Sequence, residues 1–290
     1  MSDGRLVLVF DDGHVADDAK VWPVLERAGV PACFAVVSSW VGGPDTHDAA
    51  RLHELEAAGC EIVSHGRRHR YPGTHRLECD ADAADDRVVV DEHVYPGEDH
   101  GVVPGDEYEV VDGDRRAIGR VCETRPSEDG PTVVFETPLG ASFDAGESVL
   151  RPTDATLHDE IVGSAEDFQE MGLDVQSFVL PYDAADVRTW ELVSNHYDVL
   201  GNASVRSLPN PPGRPLSELR RSYLETSHLT DLEVEAYLDA LADRGGVGVL
   251  AGHSAWDTVT AERVERVVAG AAERDIEVTT FRDIRAARDA

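Results

Sequence analysis

The strongest constraint on this chain is its first apolar run, Leu6-Val7-Leu8-Val9-Phe10, which ends in Asp11-Asp12-Gly13-His14. A half-exposed strand alternates apolar and polar residues. A run that is apolar at every position reads instead as a strand covered on both faces, the kind found in parallel sheets. Such a strand gains nothing in packing by ending in two carboxylates. Side chains alternate along a strand, so Asp11 and Asp12 leave it in different directions. Gly13 then allows a sharp turn. Two acids at the mouth of a sheet can divide labour, one holding a cation and the other moving a proton.

The next elements repeat the theme. Residues 17–28 show helical spacing through Ala19, Trp22, Val24, Leu25 and Ala28, with Gly29 as the stop. Residues 31–37 read as a second buried strand, 46–58 as a second helix ending at Gly59, and 60–64 as a third strand. Strand, helix, strand, helix, strand with short connections is the pattern of parallel strands joined by helical crossovers. The third strand runs into Ser64-His65-Gly66-Arg67-Arg68-His69. Histidines four apart on a helical turn share one face and can hold one metal ion. The pair follows strand three as the Asp pair follows strand one. In a parallel β/α architecture both then lie at the C-terminal end of the sheet, where sites are built. One Asp and two His with an open position suit Zn²⁺, with Co²⁺, Mn²⁺ or Ni²⁺ as alternatives.

Residues 72–153 change character. Helical spacing stops, and Gly, Pro and acidic residues dominate around short β-type runs at 87–91, 108–111, 117–122 and 132–135. Val111-Asp-Gly-Asp114 carries a hairpin signal. The segment reads as a small all-β insertion in a barrel domain made of residues 1–71 and 154–290. Regularity returns with a helix from Thr156 to Gly172, a strand at 175–180 closed by Pro181-Tyr182-Asp183, a helix at 190–196 and a strand at 198–200. A Pro-rich loop at 208–215 and Arg220-Arg221 follow. Then come a helix at 232–241, a strand at 247–251, a helix at 261–274, a strand at 276–279 and a closing helix. His253 therefore also stands just past a strand end. It does not sit in a serine-hydrolase elbow, because Trp256 occupies the place of the second glycine.

Charge narrows the function classes. The chain has 26 basic and 57 acidic residues, a net of −31, and Lys20 is its only lysine. No basic patch is present for nucleic acid. An acidic disordered chain is excluded by 41% hydrophobic residues in clear periodicity. Such a charge is self-repelling unless screened, which fits a halophilic, salty cytoplasm. No apolar stretch is long enough for a signal peptide core or a membrane span, so a cytoplasmic location is expected. Cys33, Cys60, Cys79 and Cys122 lack zinc-ribbon spacing and read as free thiols. A homo-oligomer is left open.

Together these motifs resemble the polysaccharide deacetylases, the NodB-homology proteins of carbohydrate esterase family four. Phe10-Asp11-Asp12-Gly13 looks like the family's first motif. His65 and His69 match its His-Ser/Thr-x-x-His, with Gly66 in the Ser/Thr place. Pro181-Tyr182-Asp183 is similar to its Pro-Tyr-Gly turn, and Leu250 to His253 matches its Leu-x-x-His. The resemblance covers residues 5–71 and 154–285. It implies an α/β fold, a distorted (β/α) barrel of about seven strands. It also implies a metal-dependent hydrolase that removes N-acetyl or other N-acyl groups from a carbohydrate. Asp12, His65 and His69 would hold the ion. Asp11 would be the base and His253 the acid, with Pro181 and Tyr182 at the substrate and oxyanion side. Two departures stand out. Val179 occupies the place of the family's arginine that pairs with the base, leaving Arg220 or Arg221 as its stand-in. The motif that orients the catalytic histidine has no clear counterpart. Rival readings are a cyclic amide or ureide amidohydrolase on the same barrel, and a non-catalytic carbohydrate-binding relative.

Overall fold

The computed structural model describes residues 4–205 and 208–289. They divide into two compact units, one made of the described residues up to 65, of 165–183 and of those from 194 onward, the other of 66–164 and 184–193.

The first unit is organised on β1 (Gly4–Asp12). Along one edge it pairs in parallel with β14 (Gly246–Gly252), from Gly4↔Gly246 to Phe10↔Gly252. Two other strands divide its remaining pairing. β15 (Glu277–Thr279) takes Arg5 to Val7, and β2 (Cys33–Val36) takes Val9 to Asp12. Outward from β2 come β3 (Glu61–Ser64), β10 (Ser177–Phe178) and β11 (Val199–Leu200). Outward from β14 come β13 (Arg220–Tyr223) and β12 (Ser204–Val205). Every pairing in this sheet is parallel. The terminal strands β11 and β12 are not paired to each other among the described residues. This is the expected distorted (β/α) barrel, with β12 and β13 added to the strands read from the sequence.

The all-apolar reading of β1 has a direct physical basis. Leu6, Leu8 and Phe10 pack with Leu25, Leu52 and Val264 on the helix side. Val7 and Val9 pack on the opposite face with Cys33, Ala35, Val63, Val249 and Ala251, joined by Phe281 and Ile284 of the last helix. Both faces are covered, so neither admits a polar residue. Asp11 is the next residue on the interior face, and it is fully buried. The helix expected over residues 17–28 is two short ones, Asp17–Lys20 and Trp22–Ala28, and the second ends at the glycine expected. Gly29 takes the left-handed C-cap conformation at φ 65°.

The second unit is an antiparallel sheet of β4 (His75–Arg76), β5 (Arg87–Val89), β6 (Glu107–Asp112), β7 (Arg115–Ser127), β8 (Gly130–Phe135) and β9 (Val149–Pro152), in the order β4-β9-β6-β7-β8-β5. The Asp-Gly signal is the turn between β6 and β7, closed by Asp112↔Arg115 with Gly113 at φ 54°. Tyr108, Phe135, Phe143 and Leu150 fill its own core. Glu109 is buried in this unit and is met by Arg116, by Arg151 at 2.7 Å and by Arg188 at 3.5 Å.

His75 is also buried there, its Nδ1 2.8 Å from the Glu92 carbonyl, and its Nε2 has no hydrogen-bond partner among the described residues. Burial pushes its imidazole down to about 4, against the upward pull of the Glu92 carbonyl and Asp91. The folded state therefore keeps His75 neutral where the unfolded chain, near 6.5, takes up a proton. Stability is complete above pH 6.5 and is lost as pH falls from 6.5 towards 4, by about 3 kcal/mol at roughly 1.4 kcal/mol per unit. Melting temperatures between pH 7 and 4.5 should fall more steeply in the native chain than in His75→Phe. Parallel curves would remove His75 as the cause.

Candidate active site

The C-terminal ends of β1, β3, β10, β13 and β14 carry the residues that the sequence singled out. Asp11 ends the interior face of β1. Its Oδ2 accepts a 2.7 Å hydrogen bond from Arg221 Nη1, and His253 Nε2 lies 3.8 Å from the same oxygen. Burial alone would raise the Asp11 carboxyl. The charges of Arg221, His65 and His253 outweigh it and hold the group below the ordinary carboxylate range. Its Oδ1 is buried without a hydrogen-bond partner among the described residues.

Arg221 stands on β13 and is 3% exposed in its side chain. It bridges two carboxylates, Asp11 and Asp183, the latter with Nε 2.6 Å from Oδ1 and Nη2 3.0 Å from Oδ2. Asp183 also accepts from the Tyr223 hydroxyl and, at 2.6 Å, from Asn202 Nδ2. Asn202 further clasps the strand end, accepting from the Leu180 N–H at 2.7 Å and donating to the Leu180 carbonyl at 2.9 Å. This matters because Tyr182 and Asp183 both sit in the left-handed region, at φ 58° and 53°. Two consecutive non-glycine residues there are strained and persist only when neighbours fix them. Pro181 and Tyr182 are thus the first two residues of a turn that Asn202 and Arg221 hold from either side.

His253 follows β14. Its Nδ1 is 2.8 Å from Glu225 Oε1, and its backbone N–H donates to the same oxygen at 3.0 Å. Glu225 is fully buried, just beyond β13. Burial would lower the His253 imidazole, but the hydrogen bond to Glu225 and the charges of Asp11 and Asp12 raise it above its ordinary value. The Glu225 contact fixes Nδ1 as the proton-bearing nitrogen and turns Nε2 towards Asp11.

Asp12 breaks the alternation of β1 by adopting φ 76°. Its Oδ1 lies 3.7 Å from His65 Nε2. His65 Nδ1 is 2.8 Å from the Val179 carbonyl, which accepts its proton and leaves Nε2, on the Asp12 side, as the nitrogen suited to a ligand bond. The expected helical turn between the two histidines is absent. Gly66 at φ 82° and His69 at φ 53° make a bend instead, with no helix over residues 65–69. One ligand atom each from Asp12, His65 and His69 nevertheless lies within 4.8 Å of the others. A carboxylate and two imidazoles at that spacing fit a divalent first-row cation.

Sequence reasoning named Asp11, Asp12, His65, His69, Pro181, Tyr182 and His253, and offered Arg220 or Arg221 as partner to the base; the structure brings Arg221, not Arg220, to Asp11. It missed Glu225, Asp183, Asn202 and Tyr223. Asp183 and Tyr223 lie next to named residues, and Glu225 two beyond Tyr223, but β13 itself went unread. Nothing in the sequence marks Asn202.

A family model described as polysaccharide deacetylase matches residues 1–92, which hold Asp11, Asp12, His65 and His69. No curated protein matches the sequence. Among solved structures, the chain is similar to the Xyl-CE4 domain of a multidomain xylanase from the hindgut metagenome of Trinervitermes trinervoides. That match has a TM-score of 0.52 and 12% identity, and covers 99% of this chain and 92% of that one. It is likewise similar to a family 4 acetyl xylan esterase from Clostridium thermocellum in complex with a cobalt ion, at a TM-score of 0.51 and 15% identity, over 98% and 92% of the two chains. Identities this low speak for the fold alone. The first 92 residues are thus similar in sequence to the polysaccharide deacetylases, and the fold throughout is similar to that of the two family 4 structures.

Proposed function

We propose that the protein is a metal-dependent hydrolase that removes N-acetyl groups from a carbohydrate. The observation that carries this reading is the pairing at Asp11. A buried carboxylate is kept ionised by Arg221, with an imidazole of raised affinity for protons 3.8 Å away. Base and acid are thus set side by side in opposite protonation states.

Asp12, His65 and His69 would hold a divalent ion, zinc by the nature of the donors, which would polarise the acyl oxygen and acidify water at the site. Cobalt in the Clostridium esterase accords with a first-row ion. Asp11 takes one proton from the attacking water as its oxygen bonds to the acyl carbon. His253 gives the Nε2 proton to the nitrogen as the C–N bond breaks, so acetate and a free amino sugar leave. Glu225 keeps His253 in the productive tautomer and carries the opposing charge. The Pro181-Tyr182 turn is the proposed oxyanion side. We place the protein in a salty cytoplasm: 57 acidic against 26 basic residues need screening, and the four cysteines are unpaired. Among the described residues, no helix is long and apolar enough to cross a membrane.

His253→Ala should keep the bound metal and lose at least about a hundredfold in acetate release from N-acetylated oligosaccharides. His69→Ala should lose metal and turnover together. Elemental analysis and acetate assays on the same preparations check both, and equal metal content with equal residual turnover would sink the assignment. Arg221→Met leaves Asp11 and Asp183 buried without their shared cation, and should destabilise the chain by about 3–5 kcal/mol as well as slowing turnover. Arg221→Lys should recover part of each. A Met variant with native melting temperature and native turnover would show that the bridge is dispensable.

A further inference from the structure

Trp22, Trp40 and Trp190 are partly buried, whereas Trp256 is 49% exposed. An exposed indole on a loose loop would mean little, but this one is held on several sides. Its ring lies on the His253 imidazole, centroids 4.0 Å apart and planes 13° from parallel. The Trp256 backbone N–H donates to the His253 carbonyl at 3.0 Å, and the Trp256 backbone carbonyl accepts from the Val259 N–H at 3.3 Å. Lys20 Nζ donates to the carbonyls of both Ser254, at 2.6 Å, and Trp256, at 3.0 Å. Lys20 is the only lysine in a chain whose other basic residues are all arginine. A compact ammonium fits between two converging carbonyls, where a planar guanidinium fork does not.

The chain therefore keeps a large apolar ring in water, in one orientation, against the proposed acid. Aromatic surface of that size is ordinarily buried. His253 would protonate the departing nitrogen, which stays on the sugar. The surface beside His253 thus faces the leaving sugar rather than the acyl group. A pyranose has an apolar face of axial C–H bonds that stacks on a flat π-system, and a ring already fixed in place binds at little entropic cost.

We propose that Trp256 is the stacking platform for a sugar ring, so that the substrate is an oligosaccharide with one unit on the indole and its acylated unit at His253. This rests on the deacetylase reading above. The test titrates N-acetylglucosamine tetramer calorimetrically into the full chain, native, Trp256→Phe and Trp256→Ala, and measures acetate release on the same samples. The Ala variant should bind roughly threefold to tenfold more weakly, with Phe in between. Native indole fluorescence should shift on binding, and that shift should be lost in Trp256→Phe, which keeps a ring on His253 if the Ala variant folds poorly. Unchanged affinity in the Ala variant, or no binding by the native chain, overturns the platform. Tetramer binding that depends on Trp256 without acetate release leaves the platform and sinks the deacetylase reading. Acetate release with no dependence of affinity on Trp256 does the reverse.

Discussion

The structure turns on one buried guanidinium. Arg221 reaches in from β13 between two carboxylates, Asp11 at 2.7 Å and Asp183 at 3.0 Å. Desolvating Asp11 on the interior face of β1 is costly, and no backbone element could offset it. The cation makes it possible for an ionised acid to stand where Val7 and Val9 lead. It also ties that acid to the strained turn after β10, so one residue sets the buried carboxylate and the turn together. Two differences from the pattern of the family that the sequence resembles, at Val179 and at Asp183, then explain each other. Val179 occupies the usual arginine position and is buried in the barrel interior. The cation arrives from another strand, and Asp183, in place of glycine, supplies the second anchor.

How much was legible follows from what each position must satisfy. β1 as far as Phe10 and β2 are covered on both faces, so their sequences are apolar runs and could be read directly. Val247 to Ala251 was readable for the same reason. Arg220–Tyr223 was not, because a strand that delivers a buried charge puts arginine where pattern reading expects an apolar residue. Glu225 was missed along with it. Its carboxylate lies just past a strand that had not been recognised, and a glutamate in an acidic chain draws no notice. β12 spans only two residues and carries no pattern at all. The histidine pair was found through a spacing that presumed a helical turn. Asp12, His65 and His69 come within 4.8 Å of one another through a bend at Gly66 and His69, not through the helical turn that the spacing presumed.

The second unit uses charge differently from a solvated surface. Glu109 is fully buried and draws in three arginines, two from strands and one from a helix. In the same unit Arg70, 4% exposed, binds Asp106 at 2.6 Å, Asp159 at 2.8 Å and Glu160 at 3.0 Å. These are multi-partner networks rather than single exposed pairs, and burial shields them from salt that would cancel surface pairs. Even in a chain of net charge −31, a few cations stand at buried positions beside carboxylates, Arg70 and Arg221 among them.

Lys20 has a practical corollary. Because no other side chain carries a primary amine, amine-directed reagents address only this position and the chain's α-amino group. Its nitrogen is engaged by two carbonyls of the segment that displays His253, so acylation there demands that the segment first lift away. The speed of labelling at Lys20 would therefore clock the opening of that segment in solution, with no probe added to the protein.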